Sequence, residues 1–510
     1  MNGLAVRWLT HLARLGNRLP DPVTLFVLLA AGVALASAGL AGVEEEIVQR
    51  DGTRVRQTVR SLLSATGVRW FFDNAVTNFT GFAPLGKVLT VMLGIGVAER
   101  SGLIAAALRV LVNSVPKALL TATLVFAGVM SSTAADAGYV VLTPLGAVLF
   151  AGLGRHPLAG LAAAFAGVSG GYSANLLLTG LDPMLAGLTQ EAARAVDPGY
   201  TVHAASNYYF MLFSTALITV IGTWVTTRFV EPMLGEWDRS RASEIPDASE
   251  EPTQRQRLAL RAALATGAVI LAGIGWLALS ESSPLRDAAA AGGSATRAMA
   301  PFFASIDLQI ALLFFAPGVV YGALTGQVRN DRDVARMTSE TMATMGAYIV
   351  LAFAAAQFVA FFNWTHLGAV SAVKGAKLLQ AIGLGGVPLL LAFLALAAAL
   401  NLLVGSASAK WAFMAPIFVP MLMLSGFSPE VVQATYRVGD SVTNIVTPLL
   451  PYLPIIIVFA RKYDREAGLG TLIAAMLPFS IAFGLAWAAA LAVWVALGIP
   501  LGPGVATTYP

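Results

Sequence analysis

The sequence predicts an all-α, polytopic membrane protein that builds one unusual device in each of two halves. Three observations carry that prediction. The 510 residues have a mean hydropathy of +0.73 and 12% charged residues, against about 25% in soluble domains. Apolar runs near the length that spans a ~30 Å hydrocarbon core recur along the chain. Two apolar regions, 129–188 and 405–448, are interrupted by small polar and charged residues. At membrane depth such residues face a protein interior or a water-filled cavity.

Composition narrows the function classes. Cysteine is absent, which excludes disulfides, thiolate metal sites and a Cys nucleophile. His11, His156, His203 and His366 are scattered, with no HExxH and no Walker motif, so neither a zinc protease nor an ATP-driven pump is indicated. The net charge is +4. The arginines sit mainly between apolar runs, as topology signals and not as a nucleic-acid surface.

Residues 1–18 carry Arg7, Arg14 and Arg18, and 23–43 form an apolar run. Ala36-Ser37-Ala38 has the form of a cleavage site, but the run exceeds the ~7–15-residue core of a signal peptide. As a retained span it places the N-terminus in the cytoplasm. Residues 44–69 read as a polar, arginine-bearing loop, and the apolar stretch 85–98 as half of a broken span. In VMSSTAADAGYVVLTP (129–144), Ser131, Ser132, Thr133 and Asp136 interrupt a membrane-depth run. This predicts a re-entrant hairpin at about 129–153; the alternative is a bent helix whose Ser and Thr bond their own backbone. After a turn at GRHPLAG (154–160), residues 161–188 break at Gly170-Gly171 and carry Ser173, Asn175 and Asp182. Paired glycines favour unwinding, or alternatively close helix packing.

A span at 207–229 closes the first half, 1–229, and 230–257 read as a polar cytoplasmic linker. The second half, 258–510, has spans at about 259–279, 308–325, 341–362 and 384–404, with an arginine-rich loop at 329–336. A second hairpin is expected at about 401–426 and a second broken helix at 430–460. RKYDR (461–465) marks a cytoplasmic turn before the last span, 471–498.

Residues 405–448 hold Ser406, Ser408, Lys410, Trp411, Arg437, Asp440, Ser441, Thr443 and Asn444, with Pro416, Pro420, Pro429 and Pro448. The runs GSASA and GDSVTN are expected to leave the helix where they line a site. Arg437 and Asp440 are three residues apart. That spacing lets them meet on a helical turn, so Asp440 is expected as the counter-ion of Arg437. A purely structural ion pair is the alternative.

The two regions repeat one order of parts: a small-polar tip (131–133, 406–408), an arm ending near a proline (Pro144, Pro420), a turn, and a glycine-broken helix. GGYSAN (170–175) aligns with GDSVTN (439–444). Paired interrupted segments point to the midplane site of a secondary transporter. A channel for small anions would need neither paired hairpins nor a coupling ion. An intramembrane aspartyl protease would use Gly439-Asp440, with Asp136 or Asp182 as second acid, but position 437 is Arg where a GxGD motif needs Gly.

The strings GFAPLG (81–86), GRHPLAGLAAAFAGVSGGYSANL (154–176), AAQFVAFFNWT (355–365), GSASAKWAFMAPIFVPMLML (405–424) and YRVGDSVTNIVTP (436–448) resemble the AbgT family of aminobenzoyl-glutamate transporters. One departure is Ser131-Ser132-Thr133, where the family pattern has Ser-Asn-Thr. The resemblance implies a bacterial inner-membrane homodimer with an inverted-repeat architecture. Each protomer would have nine spanning helices, two re-entrant hairpins and a bowl open to the cytoplasm. It implies uptake of p-aminobenzoyl-glutamate or export of sulfonamides, and not an enzyme. It assigns function to Asp182, Ser408, Trp411, Pro429, Arg437, Asp440 and Pro448. For an aryl-amide dicarboxylate, Arg437 would grip a carboxylate and Trp411 would stack on the ring. Asp182 and Asp440 would orient Arg437, carry a proton or ligate a cation. No organic cofactor is expected. Ser131, Thr133, Asn175, Ser406 and Asn444 supply hard oxygen donors for a sodium ion.

Overall fold

A computed structural model describes residues 20–48, 54–133, 138–242, 253–280, 282–287 and 298–509. Asp136, the three N-terminal arginines, His11 and linker residues 243–252 lie outside them. The fold is almost wholly helical. Among the described residues, seven helices are long and apolar enough to cross a membrane. The number is nine if two sharply bent pairs, Leu103–Val112 with Lys117–Thr133 (116°) and Leu367–Ala381 with Gly386–Asn401 (118°), each make one span.

The Pro22–Gly39 helix begins at a proline, with Asp21 capping the Val23 N–H. It belongs to the core: Phe26 is buried against Phe358 at 5.8 Å, and Ser37 Oγ accepts the Leu62 N–H at 2.9 Å. The polar loop after it holds an element the sequence did not announce. Strands Glu44–Val48 and Arg54–Thr58 pair antiparallel, Glu44 opposite Thr58, and Glu45 meets Lys377 at 2.6 Å. The stretch expected as half a span is a full helix, Ala83–Arg100, which continues the line of Ala65–Thr80. The arginine-rich loop at 329–336 is mostly the start of a helix, Asp331–Thr344, capped by Asn330.

Each half contains a pair of helical arms followed by an interrupted helix. The first hairpin has arms Leu120–Met130 and Thr143–Gly152, so it starts earlier than residue 129. Its helix ends in a 3-10 turn at Ser131–Thr133. The second hairpin has arms Gly386–Asn401 and Ala407–Met423, so the stretch 384–404 expected as a separate span supplies its first arm and the hairpin starts earlier than residue 401. The first broken helix runs Pro157–Phe165, adds a π turn at Ala166–Gly170, is non-helical over 171–180, and resumes at Leu181–Ala193. The second runs Pro429–Asn444, is non-helical over 445–452, and resumes at Leu453–Tyr463. GDSVTN therefore stays helical, and the break falls just after it. Pro448 and Pro451 lie in that break; each lacks an N–H and restricts the residue before it. The weak helix formers of 439–444 are held in helix by burial: Thr443 is the one residue of Pro429–Asn444 that is not buried.

The halves interlock. The second arm of each hairpin packs on the later half of the other repeat's broken helix: Ala407–Met423 on Leu181–Ala193, and Thr143–Gly152 on Leu453–Tyr463.

Candidate functional site

Four charged side chains are buried where these elements cross. Arg437 Nη1 donates to Asp182 Oδ1 at 2.6 Å, and Nη2 donates to the Ser173 carbonyl at 3.2 Å. Their side chains are 4% and 0% exposed. The other oxygen of Asp182 accepts from the N–H (2.6 Å) and hydroxyl (3.1 Å) of Thr179, at the start of its own helix. Negative charge is favoured there. Lys410 Nζ lies 2.5 Å from Asp440 Oδ1, with side chains 0% and 2% exposed. Its ammonium also donates to Asn401 Oδ1 and to the Val404 carbonyl at 3.2 Å. Each charge thus meets an opposite charge and further dipoles, as burial demands.

The expected Arg437–Asp440 pair is not formed. Arg437 reaches across to the first half, and Asp440 turns to the second hairpin. The guanidinium is buried, with Nη1 and Nη2 engaged by Asp182 and Ser173 and Nε without a partner. Trp411 is also not available in the role expected of it. It is fully buried, stacks on Tyr436 at 4.4 Å, and donates from Nε1 to Thr189 Oγ1 at 3.0 Å. Thr189 donates to Gln433 Oε1 at 2.6 Å, and Gln433 donates to Asn207 Oδ1 at 2.8 Å. Trp411 is thereby part of a polar chain joining the halves. Pro429 opens its helix behind the cap Ser428.

Beside the ion pairs lies a cavity of about 530 Å³. Both hairpin tips form its wall, through Ser132 and Thr133 from the first and 405–408 from the second, including Ser406 and Ser408. Tyr172, Leu181 and Asn444 come from the broken helices. Its volume is within the ~300–1,000 Å³ typical of small-molecule sites.

The residues proposed for sodium fall into two separate groups. Ser131 and Thr133 hydroxyls donate to the carbonyls of Gly128 and Met130. The Asn175 amide donates to Ser132 Oγ at 2.9 Å, so the position that departs from the family pattern is the one Asn175 contacts. Ser406 caps its own helix, and Asn444 Oδ1 accepts from Asn401 at 2.8 Å. In the second half the oxygens of Asn401, Val404 and Asp440 already surround the Lys410 ammonium. The five residues do not present one converged oxygen cage for a sodium ion.

With this geometry in place, the comparisons decide the family. Residues 7–509 match the profile described as the AbgT putative transporter family. The chain belongs to that family. It is 36% identical over 499 residues to the p-aminobenzoyl-glutamate transport protein of Escherichia coli, covering 98% of this chain and 96% of the relative. The YdaH transporter of Alcanivorax borkumensis superposes with a TM-score of 0.88 at 46% identity, covering 95% of this chain and all of that one. MtrF of Neisseria gonorrhoeae, described as one of a class of antimetabolite efflux pumps, superposes with a TM-score of 0.91 at 47% identity, covering 98% of this chain and all of that one. This AbgT-family chain is thus a membrane transporter and not an enzyme. The protease alternative lacks a dyad among the described residues, because Asp182 and Asp440 bind different cations.

Sequence reasoning named Lys410 but gave it no role, and it missed Asn401 and Tyr172. For Lys410 the signal was present: it is the one Lys or Arg in 378–436, and an intramembrane charge is a functional pointer. Asn401 and Tyr172 carried no such mark.

Proposed function

We propose that this chain is a secondary active transporter of aryl-amide dicarboxylates of the p-aminobenzoyl-glutamate type, with sulfonamide antimetabolites as a second cargo class, driven by a cation gradient. The observation that carries this reading is the cavity between the two hairpin tips, one wall residue away from the buried Arg437–Asp182 pair that ties the halves together. Leu181 lines the cavity and Asp182 faces Arg437. Loading the cavity can therefore be felt by the bond that holds the halves. The named relatives support p-aminobenzoyl-glutamate and antimetabolites as cargo, and the sulfonamide class is what the family resemblance implies. Of the two candidate cations, the proton fits better, because Asp182 and Asp440 are buried carboxylates at this site and the five candidate sodium residues do not converge. A homodimer in a bacterial inner membrane, with the N-terminus cytoplasmic, belongs to the same reading.

The test is uptake of labelled p-aminobenzoyl-glutamate into proteoliposomes under imposed proton or sodium gradients. Accumulation above equilibrium with an inward proton gradient is expected. Flux that only dissipates a substrate gradient, whatever the ion gradient, would indicate a channel and overturn the proposal. Light scattering of the purified protein tests the dimer.

A further inference from the structure

We infer that Tyr172 is a substrate-contacting residue that supplies the aryl-binding face of the cavity, the role that the fully buried Trp411 does not fill. The inference rests on the substrate reading above and adds the residue that selects for a ring.

Three features single out Tyr172. It lines the cavity and is half-buried, whereas Trp411 is fully buried. It stands in the non-helical segment 171–180, whose backbone is fixed on both sides. Gly171 packs so closely that a Cβ there would lie 2.6 Å from the Gly167 carbonyl oxygen, and the Ser173 carbonyl accepts from Arg437. Tyr172 also shares the cavity wall with Leu181, the residue before Asp182, and with Ser406 and Ser408 of the second hairpin tip. A ligand against its ring therefore sits between elements of both halves. Elsewhere the cavity offers small and polar residues, aliphatic side chains, three methionines, and two tyrosines already committed to each other. Tyr139 and Tyr452 stack in parallel at 4.2 Å, 8° apart.

An aromatic pair contributes beyond its buried area when the rings are offset or edge-to-face. A methionine-rich wall adapts to many shapes and selects weakly for any one. Tyr172 thus gives the preference for an aryl group over an aliphatic one. It also links that preference to transport, because the next residue's carbonyl is bonded to Arg437.

The experiment measures binding of p-aminobenzoyl-glutamate and of N-acetylglutamate, which keeps both carboxylates and the amide but has no ring. The proteins are wild type, Tyr172→Phe, Tyr172→Ala and Tyr172→Leu. The alanine and leucine variants should bind the aryl ligand about tenfold more weakly, the phenylalanine variant should stay within about threefold of wild type, and N-acetylglutamate affinity should change less than about twofold throughout. The leucine variant retains bulk, so the comparison survives if the alanine variant fails to fold. Equal loss of both ligands, or unchanged aryl affinity in a folded leucine or alanine variant, overturns the assignment of Tyr172. A wild-type protein that binds neither ligand overturns the substrate reading itself.

Discussion

Asp182 and Asp440 look alike in the sequence, each an acid within a largely apolar stretch, yet they hold different cations. The distances make the pairing specific: Asp182 with Arg437 at 2.6 Å, Asp440 with Lys410 at 2.5 Å. Removing one partner of a buried pair leaves an uncompensated charge and costs about 3–5 kcal/mol, whereas removing both costs less. Asp182→Asn and Arg437→Gln should each lower the melting temperature, and the double variant should recover part of the loss. In double-mutant cycles, coupling should exceed about 1 kcal/mol for Asp182–Arg437 and for Lys410–Asp440, and fall below it for Arg437–Asp440. A cycle in which Arg437–Asp440 gives the largest coupling would restore the pairing expected from spacing. Recovered stability should not restore uptake, because the bond between the halves is still missing.

The elements owe their close fit to glycine at the crossings. A Cβ on Gly439 would lie 2.5 Å from the Leu394 carbonyl oxygen, and one on Gly128 would lie 2.8 Å from that of Ala164. In each half, then, a glycine lets the first hairpin arm approach the broken helix, as small residues do between membrane helices. Gly439→Ala should destabilise by about 1–3 kcal/mol through overpacking. Gly152→Ala, at a helical site with open space around it, should be close to neutral in the same thermal unfolding assay. The loop after Leu181–Ala193 carries a pH signal. His203 stacks on Phe303 at 4.4 Å, and its Nε2 lies 3.1 Å from the Pro503 carbonyl. Burial pushes its pKa from 6.5 down to about 4; the Pro503 hydrogen bond opposes this and nearby Lys87 adds to it. Between those two values the unfolded chain binds the proton and the folded chain does not, so stability falls as pH drops through that window and is unaffected above it. The melting temperature of His203→Gln should therefore fall less than that of wild type on going from about pH 7 to about pH 5. Parallel curves would show that His203 does not titrate as its surroundings require.

At the scale of the molecule, a buried polar seam runs between the repeats. Arg437–Asp182, Thr189–Gln433 and Asn207, which donates to the Glu430 carbonyl at 2.9 Å, lie along the helices Leu181–Ala193 and Pro429–Asn444 and the loop that follows the first of them. If alternating access moves one repeat against the other, this seam must open or slide. The natural chain has no cysteine, so a single introduced pair can be cross-linked without background. Thr189→Cys with Gln433→Cys, bridged by a short bifunctional reagent, should stop uptake, while either single variant treated alike should not. Full uptake by the bridged protein would mean that the seam is rigid and that the moving parts are the hairpins.

The sequence by itself determined the membrane class and the two interrupted apolar regions, because hydropathy, proline and paired glycine act locally along the chain. Ser408, expected on the resemblance as a substrate residue, and Ser406 and Asn444, expected as cation donors, line one cavity, and small polar residues in an apolar run were the sequence signal for all three. The sequence did not place the second break, because GDSVTN has weak helix propensity but is packed on nearly every side, and burial overrides propensity. It could not choose partners for the charges. Spacing brought Arg437 and Asp440 together on paper, but the pair that forms joins residues 255 positions apart. Which opposite charge is nearest in space is set by the crossing of helices from two halves, and only the tertiary structure decides that.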